Sequence, residues 1–110
     1  MRRYLVVVAA ALALRMSPAN ADPRGPSFSC TGRLNNSERL ICADDELAEM
    51  DLRMANLYRE AGGPKHSPAR VHTYIRESLA IRNQCRTARC VHNLLVDEIN
   101  YLERYFDGRE

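Results

Sequence analysis

Length, composition and charge limit this chain to one small domain. It has 110 residues, of which 16 are Lys or Arg, 14 are Asp or Glu and 4 are Cys. Domains typically run to about 100–150 residues, which excludes a large enzyme with separate cofactor and substrate domains. No stretch reaches the ~20 consecutive apolar residues that a membrane-spanning helix needs.

Residues 1–21 are predicted to be a secretory signal. Arg2 and Arg3 precede an unbroken apolar run at residues 5–14, and the small-residue pattern at 19–21 favours cleavage after Ala21. Removing 21 of the 110 residues leaves 89, with 13 of the 16 basic residues and all 14 acidic ones, a net charge of −1. That balance excludes a strongly basic nucleic-acid surface. We expect a periplasmic or secreted protein.

Four cysteines in an exported chain of 89 residues favour two disulfides. Three pairings are possible from sequence, and a Cys42–Cys85 link would close a longer loop than either neighbouring pair. We favour Cys30–Cys42 and Cys85–Cys90, because the first pair brackets a short helix and the second flanks a corner between helices. These loops would contribute roughly 3 and 2 kcal/mol. Neither spacing fits a zinc knuckle or a thioredoxin-like redox motif.

The mature chain is predicted to be helical after an extended lead-in at residues 22–29, which contains two prolines and a glycine. Asn35 and Glu38 form a capping-box pattern before a short helix that ends near Cys42. Three acidic residues at 44–46 then begin a longer helix.

Two further helices follow, each with its own start signal. The Gly62-Gly63-Pro64 sequence ends the long helix, and Ser67 is predicted to cap the next helix with its hydroxyl. Thr87 is predicted to cap the last helix.

Apolar residues recur at helical spacing along all three long segments. They are Leu47, Met50, Met54, Leu57, Tyr58 and Ala61; Val71, Tyr74, Ile75, Leu79 and Ile81; and Val91, Leu94, Leu95, Ile99, Leu102, Tyr105 and Phe106. No segment alternates apolar and polar residues for long enough to be a strand. The predicted fold is therefore all-α: a small disulfide-stapled antiparallel bundle of three helices with a short leading helix, over residues 30–106, followed by a tail at 107–110.

The order of these residues resembles the LprI-like family, over residues 28–102. The first half of the pattern is carried by Phe28, Ser29, Cys30, Glu38, Ile41, Cys42, Leu47, Asp51 and Tyr58, and the second half by Arg76, Leu79, Arg82, Cys85, Cys90, Ile99 and Leu102. Where the family often has Gln, Trp, Tyr and Arg, this chain has Ile75, Ser78, Leu95 and Glu98.

The resemblance implies an exported helical protein whose namesake is described as an inhibitor of lysozyme. Family members are often lipid-anchored, but this chain has no lipobox near the end of its signal, and its first cysteine is Cys30. We therefore expect no lipid anchor.

Five polar residues shared with the family pattern are predicted to have structural roles: Glu38, Asp51, Tyr58, Arg76 and Arg82. We hypothesise that Asp51 pairs with Arg76 or Arg82 across a helix interface. Breaking such a buried pair would cost roughly 3–5 kcal/mol. A catalytic role for Asp51 is disfavoured, because no second carboxylate, base or nucleophile is placed beside it by the sequence.

The leading functional hypothesis is a protein that inhibits lysozyme or a related cell-wall hydrolase by blocking its cleft or surface. The candidate contact residues are Lys65, His66 and Arg70 in and after the 62–67 turn, whose basic groups could meet the two carboxylates of a glycosidase cleft. An acidic cluster at 44–49 is a second candidate, although helix capping explains it as well.

Two alternatives stay open: an envelope interaction module without inhibitory activity, and a small enzyme or redox protein. We expect no cofactor and no metal, since the three histidines lack ligand spacing. We also expect no enzymatic activity, with a protein as the partner.

Overall fold

The computed structural model describes residues 25–108. Its helices, numbered in chain order, are α1 (Asn36–Cys42), α2 (Asp45–Glu60), the one-turn helix α3 (Gly63–His66), α4 (Ala69–Arg82) and α5 (Ala88–Phe106). No strand occurs between residues 25 and 108, so the predicted all-α class is confirmed. The predicted signal at 1–21, the start of the lead-in and the last two residues of the tail lie outside the described residues.

Three helices begin where the sequence predicts, and two of them have the predicted capping residues, Asn35 and Thr87. The Asn35 side chain accepts a hydrogen bond from the backbone N–H of Glu38 at 2.9 Å, and the Glu38 carboxylate accepts one from the Asn35 N–H at 2.9 Å, which completes the capping box of α1. Asp44 accepts from two backbone N–H groups in the first turn of α2. Thr87 Oγ1 accepts from one in the first turn of α5.

The start of α4 differs from the prediction. Ser67 does not cap this helix, because its hydroxyl donates to the Gly63 carbonyl at 2.6 Å. The residues that were expected to form a plain turn make one turn of helix instead, which brings that carbonyl to Ser67. Pro68 therefore occupies the N-cap position of α4 without a side-chain hydrogen bond.

The three long helices run up, down and up. Glu46 lies opposite His92 and Arg53 opposite Glu103, so α2 and α5 are parallel, and they share the most extensive helix contact. Tyr74 stacks on Tyr101 and Ser78 contacts Glu98, so α4 and α5 are antiparallel. This is the predicted arrangement, in which each short connection reverses the chain.

The core lies between these helices and is built from aliphatic side chains. Its buried apolar members are Ile41, Leu47, Ala48, Met54, Ala61, Val71, Ile75, Cys85, Val91, Leu95, Ile99 and Leu102. Each large aliphatic side chain contributes about 1.5–3 kcal/mol by leaving water. Ile81, which we predicted on the apolar side of α4, is 58% exposed. It lies one position, about 100° of helix rotation, from the buried Arg82.

Both predicted disulfides are present. Cys30–Cys42 joins the residue directly after the lead-in to the end of α1, with the two Cα atoms 5.8 Å apart. Cys85–Cys90 joins the α4–α5 link to the first turn of α5, with its Cα atoms 5.6 Å apart. These separations are within the ordinary range for disulfides. The two bonds fix the lead-in and the α4–α5 corner against the bundle.

Candidate functional site

The backbone conformations of two glycines constrain the turn that carries the predicted contact residues, and hydrogen bonds within the turn hold it closed. Gly62 has φ 120° and Gly63 has φ 65°, both in the left-handed region that favours glycine. A Cβ on Gly62 would lie 2.4 Å from the backbone carbon of His66. The chain therefore closes tightly on itself at Gly62, where a side chain would fit only if the backbone shifted.

This turn presents a basic tip. Lys65 and His66 are exposed at the end of α3, and Arg70 is exposed in the first turn of α4. The Arg70 guanidinium lies over the Tyr105 ring, 5.7 Å from its centroid, which is within the range of a cation–π interaction. Arg70 thus connects the turn to the last turn of α5.

An aromatic surface adjoins the basic tip. Tyr105 and Phe106 meet edge to face with their ring centroids 5.2 Å apart, and Phe106 is 45% exposed. We call the surface made by Lys65, His66, Arg70, Tyr105 and Phe106 the basic–aromatic end.

The aromatic part of this surface is not evident from the sequence. The apolar periodicity of the sequence predicts only that Tyr105 and Phe106 occupy apolar positions of the last helix. The missing information is how the C-terminal end of α5 packs, where Phe106 is 45% exposed.

A second group of functional-site candidates is a buried ion cluster, formed by Asp51, Arg82 and Glu98. The Arg82 guanidinium lies 3.6 Å from the Asp51 carboxylate and 3.3 Å from the Glu98 carboxylate, and the three side chains are 6%, 2% and 0% exposed. Arg82 is thus the arginine that pairs with Asp51. Arg76, the other predicted partner, is exposed on α4.

Serine hydroxyl groups complete the cluster. Ser27 in the lead-in donates to the Asp51 carboxylate from its backbone N–H at 2.7 Å and from its hydroxyl at 2.6 Å. Ser78 donates to the Glu98 carboxylate at 2.6 Å. Ser78 and Glu98 are two of the positions at which the chain departs from the LprI-like pattern, and they contact each other.

Glu98 has a shifted acidity. Burial raises the pKa of its carboxyl above the usual value of 4.5, while Arg82 and the Ser78 hydrogen bond act in the opposite direction. Glu98 was not predicted as a site residue. Its position in the sequence nevertheless indicated burial, because Glu98 lies three residues after Leu95 and four before Leu102, on the buried side of α5.

The cluster suits a structural role. Both Asp51 oxygens face protein donors, and neither Asp51 nor Glu98 is open to solvent. A carboxylate that acts as a base must reach a substrate proton, and these groups are enclosed by α2, α4, α5 and the lead-in.

The remaining predicted polar residues are placed by local contacts. Glu38 belongs to the α1 capping box. The Tyr58 hydroxyl is hydrogen-bonded to His72 Nδ1 at 2.7 Å, which links α2 to α4. In the acidic cluster at 44–49, Asp44 caps α2, and Glu46 lies 3.7 Å from His92.

No group of three or more His, Cys, Asp or Glu side chains within residues 25–108 is arranged to hold a metal ion. In the same part of the chain, no helix has the length and apolar character needed to cross a membrane. Comparison of the chain with family models, with curated proteins and with solved structures finds no match.

Proposed function

We propose that this protein acts outside the cytoplasm as a protein-binding inhibitor of lysozyme or a related cell-wall hydrolase. Its basic–aromatic end would enter or cover the hydrolase cleft. The resemblance to the LprI-like family and the predicted signal at 1–21 favour this function. Two disulfides are also typical of an oxidising compartment.

The observation that carries the proposal is the Arg70 guanidinium over the Tyr105 ring, beside the constrained Gly62–Ser67 turn. Side chains that are already ordered lose less conformational freedom on binding, so more of their contact energy becomes affinity. Tyr and Arg are also the residue types that most often dominate protein interfaces.

The charge of this surface fits the proposed target. A glycosidase cleft contains two carboxyl groups. Arg70 carries a planar guanidinium, the type of group that binds carboxylates, and the exposed Lys65 adds a second positive charge. Phe106 and Tyr105 would cover the apolar walls beside those carboxylates.

The test is a cell-wall lysis assay with the oxidised mature chain and several classes of lysozyme. We expect saturable inhibition of at least one class at micromolar concentrations. Arg70→Ala should weaken the inhibition at least roughly tenfold, equivalent to about 1.4 kcal/mol. Arg76→Ala is the matched control, because Arg76 is an exposed arginine on the same helix outside the basic–aromatic end, and it should inhibit like the unaltered chain.

Two results would oppose the proposal. Full lysozyme activity in every class at micromolar protein would exclude an inhibitor. Equal inhibition by the Arg70→Ala and Arg76→Ala variants would exclude the basic–aromatic end as the contact surface. Calorimetric binding to an envelope protein without loss of any hydrolase activity would instead favour the interaction module.

A further inference from the structure

A cavity of about 290 Å³ lies between α1 and the link from α4 to α5. The described residues that line it are Asn36, Arg39, Leu40 and Arg86, so both charged side chains in this set are positive and none is acidic. We call it the two-arginine cavity. Its volume is close to the lower limit of about 300 Å³ for small-molecule sites in proteins. None of these four residues belongs to the basic–aromatic end.

The backbone on both sides of the two-arginine cavity is cross-linked. Arg39 lies within the loop that the Cys30–Cys42 disulfide closes, and Arg86 lies within the loop that the second disulfide closes. The Ser37 hydroxyl of α1 also donates to the side-chain oxygen of Asn83, the C-cap residue of α4, at 3.0 Å. The two sides of the cavity are therefore held together without a ligand, which lowers the ordering cost of binding.

The positive charge of this cavity is not balanced by a carboxylate within residues 25–108. Arg39 donates to the Leu34 carbonyl at 2.7 Å and to the Asn36 side chain, which are uncharged acceptors. Arg86 has no hydrogen bond or ion pair with another residue in the same range. A guanidinium carries five N–H donors, so both arginines keep donors for a ligand. Like charges around a concave surface raise the local concentration of counter-ions.

We infer that the two-arginine cavity is a binding site for a small phosphate monoester with a compact apolar body. Both guanidiniums would bind the phosphate oxygens, and the apolar body would lie against Leu40, which is only half-buried. A phosphate monoester carries a charge of about −1.5 to −2 at pH 7, which matches two arginines better than a singly charged anion does. This inference does not depend on the proposed inhibitory function.

The test is isothermal titration calorimetry of the oxidised mature chain near neutral pH and at low ionic strength. The probes are phenyl phosphate and phenyl sulfate, which share the same ring and differ in charge, together with inorganic phosphate, which lacks the ring. We expect saturable binding of phenyl phosphate, at least roughly tenfold tighter than that of phenyl sulfate. Inorganic phosphate should bind more weakly than phenyl phosphate, and Leu40→Ala should reduce that difference.

An arginine replacement with a matched control locates the binding. Arg86→Gln removes one of the two charges without breaking a hydrogen bond within residues 25–108, so we expect the variant to fold and to bind phenyl phosphate at least roughly tenfold more weakly. Arg76→Gln changes the net charge equally, but Arg76 is an exposed residue of α4 that does not line the cavity. It should bind phenyl phosphate like the unaltered chain.

Three outcomes would overturn the inference. The first is the absence of saturable phenyl phosphate binding to the unaltered chain. The second is binding of phenyl sulfate or inorganic phosphate as tight as that of phenyl phosphate. The third is an equal loss of affinity in the Arg86→Gln and Arg76→Gln variants, which would indicate attraction to the overall charge of the protein and not to the two-arginine cavity.

Discussion

Replacing Asp51 by Asn tests whether the buried ion cluster holds the bundle together. The substitution keeps the size of the side chain but removes the charge opposite Arg82 and replaces one acceptor oxygen by an NH₂ group. Breaking one side of a buried ion pair costs about 3–5 kcal/mol. Arg82 would keep Glu98 at 3.3 Å, so no charge is left without a partner, and we expect a smaller loss of about 1–3 kcal/mol, the cost of an unsatisfied buried hydrogen-bonding group.

The measurement is urea denaturation of the oxidised proteins, followed by far-UV circular dichroism. Glu103→Gln is the matched control, because it neutralises the acid of the Arg53–Glu103 ion pair, whose side chains are 57% and 41% exposed. Exposed pairs contribute about 0.2–1 kcal/mol. Equal losses in the free energy of unfolding for Asp51→Asn and Glu103→Gln would refute a supporting role for the cluster.

Three further changes test other features of the molecule. Because the pKa of Glu98 is raised in the folded state, the folded chain binds a proton at this carboxyl more tightly than the unfolded chain does. Glu98 therefore stabilises the fold most fully below pH 4.5. This stabilisation falls as the pH rises through the raised pKa. In urea melts across this pH range, the unaltered chain should therefore gain stability relative to Glu98→Gln as the pH is lowered. Gly62→Ala should lower the free energy of unfolding by about 1–3 kcal/mol, and by more than Gly63→Ala, which has open space for its Cβ. Replacing both Cys85 and Cys90 by Ala should cost about 2 kcal/mol in the same melts, since the loop they close is short.

Each of these changes also has an outcome that contradicts its reasoning. A constant difference between the unaltered chain and Glu98→Gln at every pH would show that this carboxyl does not titrate differently in the folded state. Equal losses for the two glycine variants would show that the close approach at Gly62 is relaxed at no cost. A loss near zero for the double cysteine replacement would show that the corner between α4 and α5 is fixed without its disulfide.

Helix starts were predictable because the sequence patterns that indicate them span only a few residues. Asn35 and Glu38 are three residues apart and form the α1 capping box, and Thr87 caps α5 as expected. Ser67 was misassigned because its hydroxyl can either accept from a backbone N–H at the start of α4 or donate to a nearby backbone carbonyl. The one-turn helix α3 brings the Gly63 carbonyl to Ser67, so the hydroxyl donates to it. The two glycines permit this helix, but their presence in the sequence does not predict it.

The ion cluster was predictable only in part. Apolar periodicity placed Asp51 and Arg82 near facing helix surfaces, which was enough to expect a pair. Glu98 and Ser78 lie at buried positions of their own helices, yet polar residues at such positions are rare, and neither was expected inside. Their contact joins residues 20 positions apart, so it depends on how α4 and α5 pack.

The ion cluster draws its members from the lead-in, α2, α4 and α5. Without any one of these segments the cluster loses a charge or a hydrogen-bond donor, so a half-assembled intermediate would bury a polar group that lacks a partner. We therefore expect the bundle to fold in one cooperative transition, because the buried ion cluster is complete only when the lead-in, α2, α4 and α5 have all packed together.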